Sequence, residues 1–243
     1  MIEQINVVSS RRAYEFAADT IRLTVLTTKP VLDAIQGAFH FQIAQVGSPI
    51  RTFGDVPATI PPGVVCDYGI WITPDEQAVP IRFVHIEPRR IVIDVVGASS
   101  LITPIYERLR QVVDEVCSVL HLADDRPAFG EPERAIDFSE VTMKCSWSLD
   151  AIFAPQVRDL FAHAAAFASE HEGMMLVPTL IMRPNPADRE SSGADISLDS
   201  RALQLAPRMG TRFEDQVHYS GALLDSEAHL AYLRQLDAVL SSR

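Results

Sequence analysis

The densest group of polar side chains in the sequence is Glu170-His171-Glu172, at the end of a segment that also carries His163. Imidazoles and carboxylates together are the raw material of a metal site or an acid-base pair. On a helix, two histidines eight residues apart share roughly one face but stand about 12 Å apart along the axis, too far for both to reach one ion at about 2 Å. The group therefore reads as a solvated helix terminus, with His171 near the negative end of the helix dipole.

His121, followed by Asp124 and Asp125, pairs an imidazole with carboxylates that could orient it for general-base work. Its simpler reading is a helix-terminal histidine before a solvated acidic turn. His85 and Glu87 share one face of an expected strand, with Arg89 and Arg90 beyond the turn, an arrangement that suits an anion clamp or, more simply, a surface ion pair. Arg51 with Phe53, and Arg208 and Arg212 with Phe213, are guanidinium-plus-aromatic groups of the kind that anchors protein interfaces. Arg51, Phe53, Arg89, Arg90, Arg212 and Phe213 are accordingly the candidate binding residues; no residue is assigned a catalytic or metal-binding role. Trp71, Phe83, Phe138, Trp147, Phe153 and Phe161 suit the wall of an apolar cavity and, more simply, the filling of a core.

Arrangements whose mechanism fixes their spacing are missing from the sequence: the glycine-rich phosphate loop, the His-Glu-x-x-His zinc helix, the serine elbow, paired Cys-x-x-Cys ligands and the calcium loop. With 11 glycines in the chain, backbone nests for phosphate have few places to form. Cys66, Cys117 and Cys145 are odd in number and widely spaced, which fits buried reduced thiols better than disulfides or zinc. No cofactor is expected.

The 243 residues carry 21 Lys+Arg against 32 Asp+Glu, a formal net charge of -11, so a nucleic-acid backbone is repelled and no nucleic-acid partner is expected. No apolar run approaches the roughly 18 to 20 residues that span a bilayer, and Met1 to Arg12 lack the order of a secretory signal. The expectation is a cytoplasmic protein without a membrane partner.

These residues need elements to position them. Apolar alternation predicts strands over Ile21–Leu26 and Phe39–Val46. Between Gly47 and Gly63, Pro49, Pro57, Pro61 and Pro62 predict a long surface loop. Val64–Thr73, Val79–Glu87 and Arg90–Val96 read as an antiparallel meander. Thr103 as N-cap and Pro104 at the first turn then open a helix with Ile105, Leu109, Val112, Val113, Val116 and Leu120 inward.

Residues 123 to 132 break both periodicities and place a junction near residue 130. Beyond it come a strand over Ala135–Trp147, a helix with Val157, Leu160, Phe161, Ala164 and Ala168 ending at Gly173, and a buried strand over Met174–Met182. Pro184 to Gly193 reads as a second long loop. Ile196–Leu198 and Leu203–Leu205 read as a hairpin around Asp199-Ser200-Arg201, and Ser226 as the cap of a last helix with Leu230, Leu233, Leu236 and Leu240 inward.

The expected fold is thus α+β, in two antiparallel-sheet-plus-helix subdomains (1–130 and 131–243) that repeat one plan as a divergent internal duplication. The expected function is non-enzymatic: a protein-interaction module or assembly subunit, binding itself or another subunit through its long loops. Its rivals are a binder of a small apolar ligand between sheet and helix, and an enzyme whose site gathers His85, His121 and His171 from distant parts of the chain.

Overall fold

The computed structural model describes residues 1–47, 52–53, 56–57, 63–122, 127–147, 159, 179–182, 203–210 and 215–241. Among them the architecture is α+β, with antiparallel sheet and four helices. The chain forms two compact units, Ser9–Asp137 and Met1–Val8 with Phe138–Arg243.

In the Ser9–Asp137 unit the strand order is β2 (Ile43–Gly47), β5 (Gly63–Ile72), β6 (Ala78–Glu87), β7 (Arg90–Val95) and the second half of β1 (Ile2–Glu15). The expected meander is therefore present, with Val64↔Ile86 and Ile86↔Ile91 fixing its register. Period-two alternation sends Val64, Cys66, Val79, Ile81, Val84, Ile86, Ile91, Ile93 and Val95 to one face, where they join the core. Tyr68 interrupts β5 in the left-handed region (φ 57), and pairing resumes at Gly69↔Ile81. Gly69 cannot be replaced there, because a Cβ would stand 2.5 Å from the Phe41 ring.

Two helices cover that face. Helix α2 (Lys29–Phe39) was not anticipated; Pro30 sits in its first turn, Val31, Ile35 and Phe39 are buried at four-residue spacing, and His40 ends it at φ 49. Phe39 thus closes a helix instead of opening a strand. Ile21–Leu26 is also not a strand: Ile21 makes one bridge to Phe129, and Leu23–Leu26 is the short helix α1. Val25 and Leu26 are both buried, and a strand would have pointed such neighbours to opposite faces.

Helix α3 (Ile102–Val119) begins before the expected cap, because a 3-10 turn over Ser99–Leu101 leads the chain into it. Thr103 instead accepts a hydrogen bond from Arg12 at 2.8 Å. Ile105, Leu109, Val112 and Val113 are buried as their spacing requires, whereas Leu120 lies past the helix end and is exposed. Within the proline-rich segment β3 (Thr52–Phe53) pairs with β4 (Val56–Pro57), a ribbon too short to need the amide that Pro57 lacks. The rest of that segment lies outside the described residues.

In the other unit the order is the first half of β1, then β8 (Arg134–Cys145), β11 (Val217–Ala222), β10 (Leu203–Pro207) and β9 (Leu180–Met182). β10 pairs with β9 on one side and β11 on the other, and Ile196–Leu198, its expected hairpin partner, lies outside the described residues. Of the buried strand expected over Met174–Met182 only Thr179–Met182 is among the described residues; there β9 ends the order and Ile181 is exposed. Helix α4 (Ser226–Ser241) is capped by Asp225, whose Oδ1 accepts the Ala228 N–H at 2.9 Å; Ser226 is already helical. Leu233 is buried against Val141, Met143, Leu203 and Leu205, with Leu230, Leu236 and Leu240 packed around it. The helix expected before Gly173, apart from helical Asp159, the loop from Pro184 to Gly193, and Arg201 lie outside the described residues.

The two units share a connection pattern. In each, a strand is followed by a three-strand meander whose last strand returns to pair with the first, and a helix comes next: β5-β6-β7-β1 with α3, and β9-β10-β11-β8 with α4. The registers also match. Ser10↔Val95 opens six pairs ending at Glu15↔Arg90, and Ser139↔Ala222 opens six ending at Lys144↔Val217. One hydrogen bond recurs: Ser10 Oγ donates to the Gly97 carbonyl at 2.7 Å, and Ser139 Oγ to the Leu224 carbonyl at 3.0 Å, each acceptor two residues beyond the last strand.

Candidate functional site

Alternation that sends one set of Ser9–Asp137 side chains to the core sends the other set to the opposite face, on which neither α2 nor α3 packs. Its central row, set by register, is Ile43, Asp67, Phe83, Asp94 and Arg11. Asp94 is 1% exposed and accepts from Arg11 Nε and Nη2 at 2.9 and 2.7 Å, while Arg82 Nε stands 3.7 Å from its other oxygen. The Arg11 guanidinium lies 5.1 Å from the Phe83 ring centroid, Phe83 stacks on His85, and His85 Nε2 meets Asp67 Oδ1 at 3.0 Å. Asp94 is thus paired across the strands with two guanidiniums, and Asp67 is held at hydrogen-bond distance by the His85 ring. Around them stand Ile43, Ile70, Ile72 and Val96, exposed by 38 to 48%. On a sheet face, exposed aliphatics beside polar groups already bonded to one another make a surface that loses little by being covered.

Of the candidate binding residues, Arg90 donates through Nε and Nη2 to Glu87 Oε2 and so spends its charge inside the hairpin. Arg89 is separate from it. Its exposed side chain helps line a shallow cleft of about 420 Å³ with Arg22, Asp19, Ile21, Leu23 and Pro88, between the start of α1 and the β6–β7 turn. Phe53 lies in β3, paired with Val56. Arg51, Arg212 and Phe213 lie outside the described residues, as do His163, Glu170, His171 and Glu172. His121 ends α3 at φ 51, exposed, and Asp124 and Asp125 are not among the described residues.

Cys66, Cys117 and Cys145 are free and buried. Burial, with Asp67 adding to it, pushes the Cys66 thiol up to about 12. Trp71 is partly buried against the core, and Trp147 is buried, stacked on His218 with its indole donating to Asp237 Oδ1 at 2.8 Å.

A second concentrated polar group lies among the described residues of the other unit, and no local spacing in the sequence announces it. His229 of α4 is 0% exposed, its Nδ1 2.8 Å from Ser139 Oγ of β8 and its Nε2 2.8 Å from Ser220 Oγ of β11. Each hydroxyl also meets a carbonyl, that of Leu224 for Ser139 and that of Gln204 for Ser220, both at 3.0 Å. A serine at hydrogen-bond distance from an imidazole is the first half of a nucleophile. Here Ser139, Ser220 and His229 are all 0% exposed, so no substrate carbonyl reaches either hydroxyl in this conformation. Burial alone lowers the His229 pKa to about 4, and burial also lowers that of His218, with the Trp147 backbone opposing it.

Any signal for this group in the sequence lay in register, not in local spacing: Ser139, Ser220 and His229 converge only when β8 pairs with β11 and α4 folds back over both. Among the described residues no group of three or more metal-ligating side chains occurs, and no helix is long and apolar enough to cross a membrane. The chain matches no protein-family model and no curated protein.

Proposed function

We propose that the protein is a non-catalytic interaction module that works by covering the sheet face of its Ser9–Asp137 unit turned away from α2 and α3 with a protein partner, a second copy or another subunit. The observation that carries this reading is the set of exposed aliphatics Ile43, Ile70, Ile72 and Val96 around polar groups that are bonded to one another. The proline-rich connection from β2 to β5, most of which lies outside the described residues, is included in the proposed contact surface on its sequence alone. Native mass spectrometry of the tagged chain isolated from its own cells tests the reading. A mass above the 26.9 kDa of one chain is expected, and a bare chain overturns it.

A second reading rests on the cleft. Two guanidiniums, Arg22 and Arg89, with aliphatic walls from Ile21 and Leu23, suit a small organic carboxylate. Calorimetric titration with a short-chain carboxylate supports it if the heat disappears in Arg89→Ala, and removes it if no heat is seen.

We also infer that the two units descend from one duplicated sheet-and-helix unit. Their matching strand order, their matching six-pair registers and the repeated serine-to-carbonyl hydrogen bond support this.

A further inference from the structure

The common register allows the two cores to be compared position by position. Counted from the last paired residue of the final strand, Val95 or Ala222, the residue four back is Ile91 in one unit and His218 in the other. Two back stand Ile93 and Ser220; seven ahead, in the helix, stand Ile102 and His229. All six are exposed by 2% or less. Three isoleucines thus close one core where two histidines and a serine close the other. The isoleucine version shows that this arrangement of strands and helix does not need polar groups at these positions.

The polar version costs stability. Buried polar groups are tolerated when hydrogen-bonded, and among the described residues neither ring nitrogen of His218 has a hydrogen-bond partner of good geometry. Neutral His229 and its two hydroxyls hold three hydrogens for four contacts, so one contact is always unmet. A proton would fill that contact, but only by placing a cation where no water reaches it.

We propose that the unit formed by Met1–Val8 and Phe138–Arg243 is an acid-sensitive element, in which proton uptake by His229 and His218 loosens α4 from its strands while the Ser9–Asp137 unit stays closed.

The surroundings do not compensate the charge. On α4 the nearest acidic residues in sequence are Asp225, engaged in the cap, and exposed Glu227. On β8, Glu140 and Lys144 alternate away from Ser139, Val141 and Met143, and Glu140 accepts from Tyr219. β10 carries no ionisable side chain, β11 adds only Tyr219, and Asp237 is held by the Trp147 indole. Glu3 of β1 pairs with Lys144 at 3.6 Å. No carboxylate among the described residues contacts either ring.

The sign follows. An unfolded imidazole titrates near 6.5 and the folded ones below it, so between pH 6.5 and about 4 the opened form binds more protons and acid favours opening. For His229 alone, the opening equilibrium rises roughly twentyfold from pH 7 to pH 5.

Hydrogen exchange of the full chain at pH 7 and pH 5, corrected for the intrinsic exchange rate, is the test. Expected is a loss of protection of at least tenfold in α4 and β11, with α3 and β7 unchanged, and its abolition in His218→Ile/His229→Ile, which installs the residues of the other unit. Should that variant fail to fold, the ring of His229 is followed by NMR in the unaltered protein. A neutral ring at pH 6 with α4 protection falling below it supports the proposal. Equal loss in α3 and α4, or a ring that titrates near 6.5 while α4 stays protected, overturns it.

Discussion

Asp94 shows how much a single buried charge asks of its neighbours. Its carboxylate is 1% exposed and survives there because Arg11 grips one oxygen twice and Arg82 approaches the other. Removing one partner of a buried ion pair leaves an uncompensated charge, so Arg11→Met should destabilise by about 3 kcal/mol, less whatever Arg82 recovers. Arg11→Met/Asp94→Leu should restore most of that loss, because it removes the charge along with its partner. Urea denaturation of the three proteins reads both effects. Arg89 and Arg90 teach a related lesson. Adjacent in sequence and read together as one clamp, they part company because the β6–β7 turn aims Arg90 at Glu87 and leaves Arg89 facing the cleft.

Glycines separate the elements that tolerate a side chain from those that do not. Gly37 lies inside α2 with nothing within 4 Å of where a Cβ would stand, so Gly37→Ala should stabilise by about 0.5 to 1 kcal/mol. Gly63 opens β5 against the Ile86 carbonyl oxygen of β6, where a Cβ would collide with backbone that cannot swing aside. Gly63→Ala should therefore lower the midpoint of thermal unfolding while Gly37→Ala raises it, and a calorimetric scan distinguishes them.

The same element scale decides what the sequence disclosed. The β5–β6–β7 meander and the buried stripe of α3 were legible because their periods run for six residues or more without competition. β1 was not, because buried Ser9 and Ser10 stand where alternation looks for hydrocarbon, and their hydrogen-bond partners Arg82 and the Gly97 carbonyl lie some seventy to ninety residues away. α2 carried a readable signal in Pro30, Val31, Ile35 and Phe39, obscured by the alternation that continues from Phe39 into β2.

Across the molecule, the recurring plan of strand, meander and helix is built once around isoleucines and once around histidines and serine, and the sheet face turned away from α2 and α3 is the surface we propose for a partner. His229 was invisible in sequence for the reason that makes it distinctive: a lone histidine on a helix acquires its meaning only from the two strands beneath it. The proposed contact on that sheet face is directly testable. Sedimentation velocity of the assembled protein should show Ile70→Asp releasing the partner with the fold intact by circular dichroism, whereas Val119→Asp, at a 75% exposed position of α3, leaves the assembly whole. An assembly that survives Ile70→Asp, or one that Val119→Asp dissolves equally, would contradict it.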